Sequence, residues 1–324
     1  FHEKFLAVVF DESSRIADPV YGALEGTLTD ICNFIINIFN PTRSKGFAVE
    51  THTRYRGQWI ALRWDAEESE RVTKESIEGL AKKYGRDSNF FRIYVKGLPP
   101  ISGEKLLIEY DWAEDALNID LEALPSDPVI LGIDIGGGGD SSVIVRRRGP
   151  IMEGVESRDT PEDEALTNWV VKEIYRYEPE IVLIDTLGIG WAVEGAVRKR
   201  CPSTTVIGVK VSETASDDAR FYQLRDELCW SLREKLQKGL LKLIDDPLLI
   251  GEMTSFKYDD ERTDGKIKVE SKKDFKKRIQ SGESPNRFDA LMLTEYYDYE
   301  MLRRMSGKQK QHFRREPDIN WKTV

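Results

Sequence analysis

Long apolar runs are missing from this sequence: its apolar stretches all fall well short of the roughly 20 residues that a membrane-spanning helix needs. Cysteine and histidine are also scarce, at three residues each among 324. The cysteines, Cys32, Cys201 and Cys229, are scattered and form no CxxC pair. This pattern argues against a structural zinc site and is typical of a protein kept in a reducing compartment.

An excess of positive charge is missing as well. Lys and Arg number 48 against 57 Asp and Glu, which gives a net charge of −9. Such a balance argues against a protein that coats nucleic acid non-specifically. It leaves room for local basic patches, because the charge of the contact surface decides nucleic-acid binding.

A phosphate-binding loop of the form GxxxxGK[ST] is absent from the sequence, so nucleotide phosphates lack their usual cradle of backbone N–H groups. Residues 5–10 are nevertheless an apolar run, predicted as a buried strand, that leads into Asp11 and Glu12. This is the layout of a Walker B element, in which the Asp holds Mg²⁺ and the Glu polarises the attacking water. The alternative is an ordinary strand followed by a polar cap.

A second apolar strand is predicted over 34–39 and stops before Pro41, because proline cannot continue a central strand. Asn40 and Thr42 then lie at the carboxyl end of this strand, where ligands bind in open α/β sheets. They either sense a γ-phosphate or form a plain turn. We predict that residues 1–60 are the C-terminal part of a P-loop-type ATPase core and that this chain does not hydrolyse ATP by itself.

Residues 61–127 are predicted to be a lid or linker subdomain. Within it, residues 72–85 have a Thr N-cap candidate, apolar residues at helical spacing and a closing Gly, which together predict a helix. Residues 90–95 are rich in aromatic and β-branched side chains and predict a strand. Two prolines within 124–128 mark the boundary to the next domain.

The most informative stretch is the apolar strand predicted over 129–135, which carries one carboxylate, Asp134. A charge on an otherwise apolar strand is costly unless a metal or a partner compensates it. Asp185 ends another apolar strand, and Asp289 lies near the start of a helix predicted over 286–304. Singly, these acids are explained as a turn cap, a loop carboxylate and an acid favoured by the helix dipole. Together they favour a metal site.

The elements that surround these acids follow a definite order. Three strands, a helix and two further strands are predicted at 129–135, 141–147, 150–157, 162–177, 181–184 and 205–209. A long helix (221–238) and a hairpin (255–269) with Asp-Gly at its turn follow. Three antiparallel strands, a crossover helix and then parallel strands are the order of a ribonuclease-H-like fold. We therefore predict an α/β chain: a ribonuclease-H-like nuclease domain over 128–305, with a mixed central sheet flanked by helices, preceded by the partial ATPase segment.

A basic helix is predicted between the hairpin and Asp289. Its cationic residues are Lys272, Lys273, Lys276, Lys277 and Arg278. They are candidates for binding DNA phosphates, although such a run is often a solvated helix face. The basic C-terminal tail, 306–324, either holds DNA or a partner or is a disordered solubilising end.

The sequence resembles one known family over nearly its whole length: the large terminase subunits of tailed bacteriophages, which package DNA into capsids and cut it. The resemblance rests on five motifs in the family's order: VVFDE (8–12), NPT (40–42), GID (132–134), LIDTLGIG (183–190) and SPNRFDAL (284–291). Each motif is weak alone, whereas their order, spacing and combination are specific. Two features depart from the family, since the phosphate loop is missing and Asn286 stands where the family often has Asp.

The resemblance implies a metal-dependent endonuclease that cuts concatemeric genome DNA during ATP-driven packaging. Asp134, Asp185 and Asp289 would bind two Mg²⁺ or Mn²⁺ ions, with Asp134 bridging them and the other two holding one ion each. Asn286 would serve at most as a neutral metal or water contact. Asp140 would be a turn residue in preference to a supporting ligand.

The resemblance also implies roles for the N-terminal residues and a set of partners. Asp11 and Glu12 would be the Walker B Asp and catalytic Glu, and Asn40 and Thr42 would belong to the coupling motif. ATP with Mg²⁺ would bind only if the missing N-terminal half is supplied. The implied partners are double-stranded DNA, the portal protein, the small terminase subunit and further copies in a ring on the capsid. The implied location is the host cytoplasm, transiently on the procapsid, without membrane and without retention in the mature virion.

Three other functions are compatible with parts of the sequence. A non-catalytic component that docks on DNA and the portal would share the motor motifs, but it has no need of three acids. An actin-like or sugar-kinase-like ATPase would use the glycines of 132–137 as a phosphate loop, yet a convincing second loop is missing. A Holliday-junction resolvase would share the fold but not the Walker B and Asn-Pro-Thr half.

Overall fold

The computed structural model describes residues 5–26, 28, 30, 32–101, 105–137, 140–159, 162–280 and 284–298. The predicted basic tail, 306–324, lies outside the described residues. The strands are β1 (Ala7–Asp11), β2 (Phe34–Ile38), β3 (Val129–Asp134), β4 (Ser142–Arg148), β5 (Ile151–Arg158), β6 (Ile181–Asp185), β7 (Thr205–Val209), β8 (Tyr258–Asp259) and β9 (Lys268–Val269). The helices are α1 (Asp18–Glu25), α2 (Phe47–Glu50), α3 (Lys74–Tyr84), α4 (Asn89–Tyr94), α5 (Tyr110–Asn118), α6 (Asp163–Tyr177), α7 (Gly190–Arg200), α8 (Leu224–Gln237), α9 (Pro247–Met253), α10 (Lys272–Ile279) and α11 (Asn286–Leu293). Within these ranges, every helix is too short or too polar to cross a membrane.

Five strands form the central sheet in the order β5-β4-β3-β6-β7. β3, β4 and β5 pair antiparallel, and β6 and β7 continue the sheet parallel to β3. Every residue of β3 and of β6 is buried. A strand that is covered on both faces has a continuous run of apolar residues instead of alternating apolar and polar residues. The predicted antiparallel strands followed by parallel strands are confirmed.

Helices cover both faces of this sheet. On one face, α6 and α7 contribute Trp169 and Val193 to an apolar cluster that includes Leu131 of β3. On the other face, α8 and α11 pack in a larger cluster that includes Ile130 and Phe288. Ile130 and Leu131 are consecutive, so the alternation of a β-strand sends them to opposite faces. The predicted mixed sheet flanked by helices is therefore present.

The N-terminal strands β1 and β2 form a separate parallel pair. Both strands exist where they were predicted, but the prediction that the first is buried is wrong, because alternate residues are exposed. Val9, Phe34, Ile36 and Ile38 are among the exposed apolar side chains. The physical reason is that the described elements cover only one face of this small sheet, so the strand alternation leaves every second side chain in solvent.

The segment between the two sheets contains one wrong prediction. Residues 90–95, expected as a strand, form helix α4, whose first turn is capped by the Ser88 hydroxyl accepting from the Phe91 N–H at 3.1 Å. The side chain of Phe91 is fully buried, so the cap and the packing outweigh a composition that favours strands. The helix predicted over 72–85 is confirmed as α3 and ends at Gly85, whose φ is +84°.

The C-terminal elements largely follow expectation. The predicted hairpin is confirmed as the antiparallel pair β8 and β9, and Gly265 at its turn has a φ of +69°. The last helix was predicted to span 286–304; α11 ends at Leu293, residues 296–298 are again helical, and 299–304 lie outside the described residues. The Thr294 N–H and hydroxyl both bond to the carbonyl of Leu291, which closes the helix in a tight turn.

Candidate functional site

The carboxylates of Asp134 and Asp185 lie at the same edge of the central sheet. Each is the last residue of its strand, β3 or β6. These strands are parallel neighbours in which Ile133 pairs with Ile184. Because parallel neighbours end at the same edge of a sheet, this register places the two acids side by side.

Asp289 reaches the same edge from helix α11, which packs closely over β3. This approach depends on Gly132, since a Cβ there would lie 2.1 Å from the carbonyl oxygen of Ala290 and 2.8 Å from Cγ2 of Thr294. A larger residue would push α11 away from the sheet. Asp289 lies in the first turn of α11, where the helix dipole favours a carboxylate.

One ammonium group lies between these acids, that of Lys272 at the start of α10. Its Nζ is 3.1 Å from Oδ2 of Asp134 and 2.8 Å from Oδ2 of Asp289. From the sequence, Lys272 was a candidate for binding DNA. The structure places its charge inside the acidic cluster, between two of the three predicted metal ligands.

Burial strengthens the electrostatics of this cluster. Asp134, Asp185 and Asp289 expose only 4%, 6% and 2% of their surface. Desolvation raises the pKa of Asp134, against the attraction of Lys272, and also raises the pKa of Asp185, against the hydrogen bond from the Leu187 N–H. Desolvation acts to lower the pKa of Lys272, yet the charges of Asp289 and Asp134 raise it overall. Buried carboxylates with too few partners create a strong demand for positive charge.

The residues of this cluster fit a hard divalent cation, because Mg²⁺ and Mn²⁺ prefer carboxylate oxygens. Oδ2 of Asp289 is buried and, despite its ion pair with Lys272, makes no hydrogen bond of suitable geometry within the described part of the chain. No group of three or more His, Cys, Asp or Glu in that part is arranged to hold a metal ion as it stands. The ammonium of Lys272 lies between Asp134 and Asp289 and takes up space that a metal ion would need.

Asn286 and Asp140 lie beside the cluster and make structural hydrogen bonds. The Asn286 amide donates to the carbonyl oxygen of Ser141 at 2.7 Å. Oδ2 of Asp140 accepts from the Ser284 hydroxyl, also at 2.7 Å. These bonds connect the segment that leads into β4 with the start of α11. They give both residues contacts that require no metal, and the role of Asp140 as a turn residue stays a prediction.

The basic helix α10 divides its cationic residues between the interior and the surface. Lys276, one turn after Lys272, lies 3.7 Å from Oδ1 of Asp140. Arg278 forms a 2.7 Å ion pair with Glu270. Lys273 and Lys277 are exposed. Of the predicted DNA-binding residues, these two are therefore the ones with charges that face solvent.

The predicted Walker B and coupling residues form a second group at the carboxyl ends of β1 and β2. Oδ1 of Asp11 accepts from the Glu12 N–H at 3.0 Å, and Glu12 has a φ of 51°, a conformation that is uncommon for non-glycine residues. The hydroxyl of Thr42 lies 2.9 Å from that of Ser14, while Asn40 is exposed. The structure thus brings the two N-terminal motifs together, on a different sheet from the three acids.

Sequence reasoning missed two contacts of the acidic cluster. One is the position of Lys272, and the other is Arg225, whose Nη2 lies 3.3 Å from Oδ1 of Asp289. No local pattern distinguishes these residues, because each lies in the first turn of an ordinary polar helix. Only the packing of α8, α10 and α11 brings them together.

No protein-family model matches the chain. The chain is similar over 92% of its length, at 24% identity, to a probable terminase large subunit of Enterobacteria phage P7, and it spans 64% of that relative. Its structure is similar to the nuclease domain of the large terminase subunit gp2 of bacterial virus Sf6, with a TM-score of 0.52 and 19% identity over 59% of this chain and 98% of that domain. A mutant of the Sf6 domain solved with manganese gives a TM-score of 0.52 at 17% identity and the same coverage. The predicted resemblance to large terminase subunits and the predicted ribonuclease-H-like fold are thereby confirmed.

Proposed function

We propose that this chain is part of a phage large terminase subunit and that its nuclease domain cuts double-stranded DNA with divalent metal ions. The observation that carries this proposal is the convergence of Asp134, Asp185 and Asp289, from β3, β6 and α11, around one cation position. The similar solved domain comes from a large terminase subunit, and a mutant of it was solved with manganese. The proposed reaction is the cutting of concatemeric genome DNA during packaging.

The three acids would hold two Mg²⁺ or Mn²⁺ ions, with Asp134, which neighbours both other acids, as the shared ligand. When bound, two such ions stabilise the attacking and the leaving oxygen of an in-line phosphodiester displacement. The chain itself contributes a rigid, nearly dry arrangement of carboxylates, fixed by the ends of two strands and by a helix against Gly132. The ammonium of Lys272 lies between two of these carboxylates and compensates part of their negative charge.

The DNA strand would approach along a polar cleft of about 310 Å³ that is lined in part by the first turn of α11, the helix that carries Asp289. Residues of α3 and α11 line this cleft, among them Lys83, Asn286 and Arg287. The lining also includes acidic residues, and the positive charge and hydrogen-bond donors for DNA would come from these three residues together with the exposed Lys273 and Lys277 of α10. Such groups bind the phosphate backbone without reading sequence.

The domain division predicted from the sequence remains part of this proposal: 1–60 as the end of an ATPase core, 61–127 as a lid or linker, 128–305 as the nuclease and 306–324 as a basic tail. ATP and Mg²⁺ would bind at the Walker B end only together with a phosphate loop supplied by another segment. The chain spans 64% of the relative from phage P7. The portal protein, the small terminase subunit, a ring of copies and a transient place on the procapsid in the host cytoplasm are proposed partners and location.

The test is a plasmid-cleavage assay with Mn²⁺ or Mg²⁺ that compares this chain with Asp134→Asn. The expected result is metal-dependent cutting that the variant loses. Asp120→Asn, which neutralises an exposed carboxylate of the connecting segment, should cut like the unmodified chain. Cutting without metal, or equal cutting by Asp134→Asn, would contradict the proposed site. A folded chain that cuts with neither metal would favour the non-catalytic docking component.

A further inference from the structure

Arg225 is a mostly buried cation that contacts the acidic cluster at Asp289. It is the second residue of α8, its side chain is only 12% exposed, and its Nη2 lies 3.3 Å from Oδ1 of Asp289. We propose that Arg225 is a positioning residue that fixes the Asp289 carboxylate so that Oδ2 faces the metal position. This inference rests on the proposed metal site and adds to it a residue that orients one of the ligands.

The guanidinium of Arg225 is itself held from several directions. Its Nη1 donates to the carbonyl oxygen of Glu270 at 3.1 Å, and its central carbon lies 5.2 Å from the centre of the Phe256 ring. Its Nε makes no hydrogen bond within the described residues. A buried donor without a partner is unfavourable. The position of the guanidinium beside Asp289 therefore leaves one of its own N–H groups, that of Nε, without an acceptor among the described residues.

The start of α8 is also locked to the neighbouring hairpin. Asp226 and Gln223 form a reciprocal capping box, and Oδ1 of Asp226 accepts from the Val269 N–H at 2.8 Å. Glu270, which accepts from Arg225, follows directly after this contact. The backbone that carries Arg225 and the carbonyl that orients its side chain therefore form one rigid unit next to α11.

This arrangement assigns different partners to the two oxygens of Asp289. Oδ1 is bound by Arg225, whereas Oδ2 lies 2.8 Å from Nζ of Lys272 and makes no hydrogen bond of suitable geometry in the described part of the chain. Rotation of a carboxylate about its last bond is otherwise soft. A fixed orientation improves metal binding, and loss of such outer contacts typically lowers metal affinity or activity by about 10- to 100-fold.

A simpler view is that Arg225 only neutralises negative charge. The two views predict opposite results, because removing a positive charge would then make the cluster more attractive to a metal ion. The metal affinity of Arg225→Met therefore decides between them. Arg233→Met is a matched control, since Arg233 lies on the same helix, is part-buried and donates to the main-chain oxygen of Leu106 at 3.0 Å.

The experiment measures Mn²⁺ binding to the DNA-free chain by isothermal titration calorimetry, with thermal unfolding of each variant as a folding check. Arg225→Met should bind Mn²⁺ about 10- to 100-fold more weakly, and Arg233→Met should bind like the unmodified chain. In cleavage assays, raising the Mn²⁺ concentration should restore the rate of Arg225→Met. Arg225→Lys, which keeps the charge but not the planar fork, should show a smaller loss.

Unchanged or tighter Mn²⁺ binding by a folded Arg225→Met would overturn the inference, as would an equal loss in Arg233→Met. If Arg225→Met does not fold, Arg225→Lys decides, because unchanged affinity in that variant would also overturn it. A chain that binds Mn²⁺ but does not cut would refute the nuclease proposal alone, and the affinities would still decide the role of Arg225. A chain that does not bind Mn²⁺ would refute both.

Discussion

Replacing Lys272 by Met is the sharpest test of how the acidic cluster works. Its ammonium lies 3.1 Å from Oδ2 of Asp134 and 2.8 Å from Oδ2 of Asp289. A metal ion and this ammonium cannot occupy the space between the two carboxylates at the same time. Lys272→Met should therefore destabilise the metal-free chain and bind Mn²⁺ more tightly.

The size of both effects follows from burial. Removing one partner of a buried ion pair costs about 3–5 kcal/mol. The side chain of Lys272 is 36% exposed, so solvent screens the pair and we reduce the figure to about 1–3 kcal/mol. In the unmodified chain a similar energy opposes metal binding. Since about 1.4 kcal/mol corresponds to a factor of ten, Lys272→Met should bind Mn²⁺ about 10- to 100-fold more tightly.

The assay is thermal unfolding with and without Mn²⁺, combined with calorimetric titration of the metal. Without metal, Lys272→Met should unfold at a lower temperature than the unmodified chain. Saturating Mn²⁺ should raise its unfolding temperature by a larger increment, because stabilisation grows with the ratio of free metal to dissociation constant. Lys277→Met removes the same charge from an exposed position of α10 and should change neither quantity appreciably.

Two results would refute the reasoning on Lys272. One is a folded Lys272→Met whose affinity for Mn²⁺ is unchanged or lower, since the ammonium then does not compete with the metal. The other is an equal gain of affinity in Lys277→Met, which would show that net charge near the site is sufficient. Either result would leave the contacts of Lys272 without the proposed role.

Three further predictions concern the scaffold and the N-terminal half. Gly132→Ala should lower the free energy of unfolding, measured in urea, by about 1–3 kcal/mol, because its Cβ would lie 2.1 Å from the Ala290 oxygen. Gly195→Ala should not lower it, since no heavy atom lies within 4 Å of the Cβ position there. Equal stability of the two variants would contradict the packing argument. Arg147→Met should cost about 1–3 kcal/mol at unchanged Mn²⁺ affinity. Arg147 and Glu295 form a buried 2.5 Å ion pair, but Glu295 keeps its 2.7 Å contact with Lys235; a fully stable variant would contradict this. The chain alone should release no phosphate from ATP with Mg²⁺, and release that is lost in Glu12→Gln would contradict the prediction.

The parts of the site that depend on strands were predictable from the sequence. β3 and β6 are covered on both faces, so each is a continuous apolar run whose single carboxylate stands out. Once the two strands are parallel neighbours, Asp134 and Asp185 must end at the same edge. The placement of Asp289 was less certain, because it depends on the packing of α11 against Gly132. In the sequence that glycine also fitted a phosphate loop of a sugar-kinase-like ATPase, whereas in the structure it is a packing contact.

The parts that failed depend on tertiary contacts that no local pattern records. Residues 90–95 have the composition of a strand but follow a serine cap and pack as a helix. The apolar residues of β1 were predicted to be buried, although the described elements cover only one face of that sheet. Lys272 and Arg225 belong to unremarkable polar helices, and only their distances to Asp289 distinguish them from surface cations.

These two cations separate geometry from net charge at a single carboxylate. Lys272 and Arg225 each carry one positive charge and each contact Asp289, one at Oδ2 and the other at Oδ1. If net charge alone controlled metal binding, removing either cation would raise the affinity for Mn²⁺. The contacts predict opposite signs, because Lys272 lies where we propose that the metal binds and Arg225 contacts the other oxygen of the proposed ligand. Measuring the Mn²⁺ affinity of Lys272→Met and Arg225→Met in one titration series therefore tests the geometry of the site separately from its net charge.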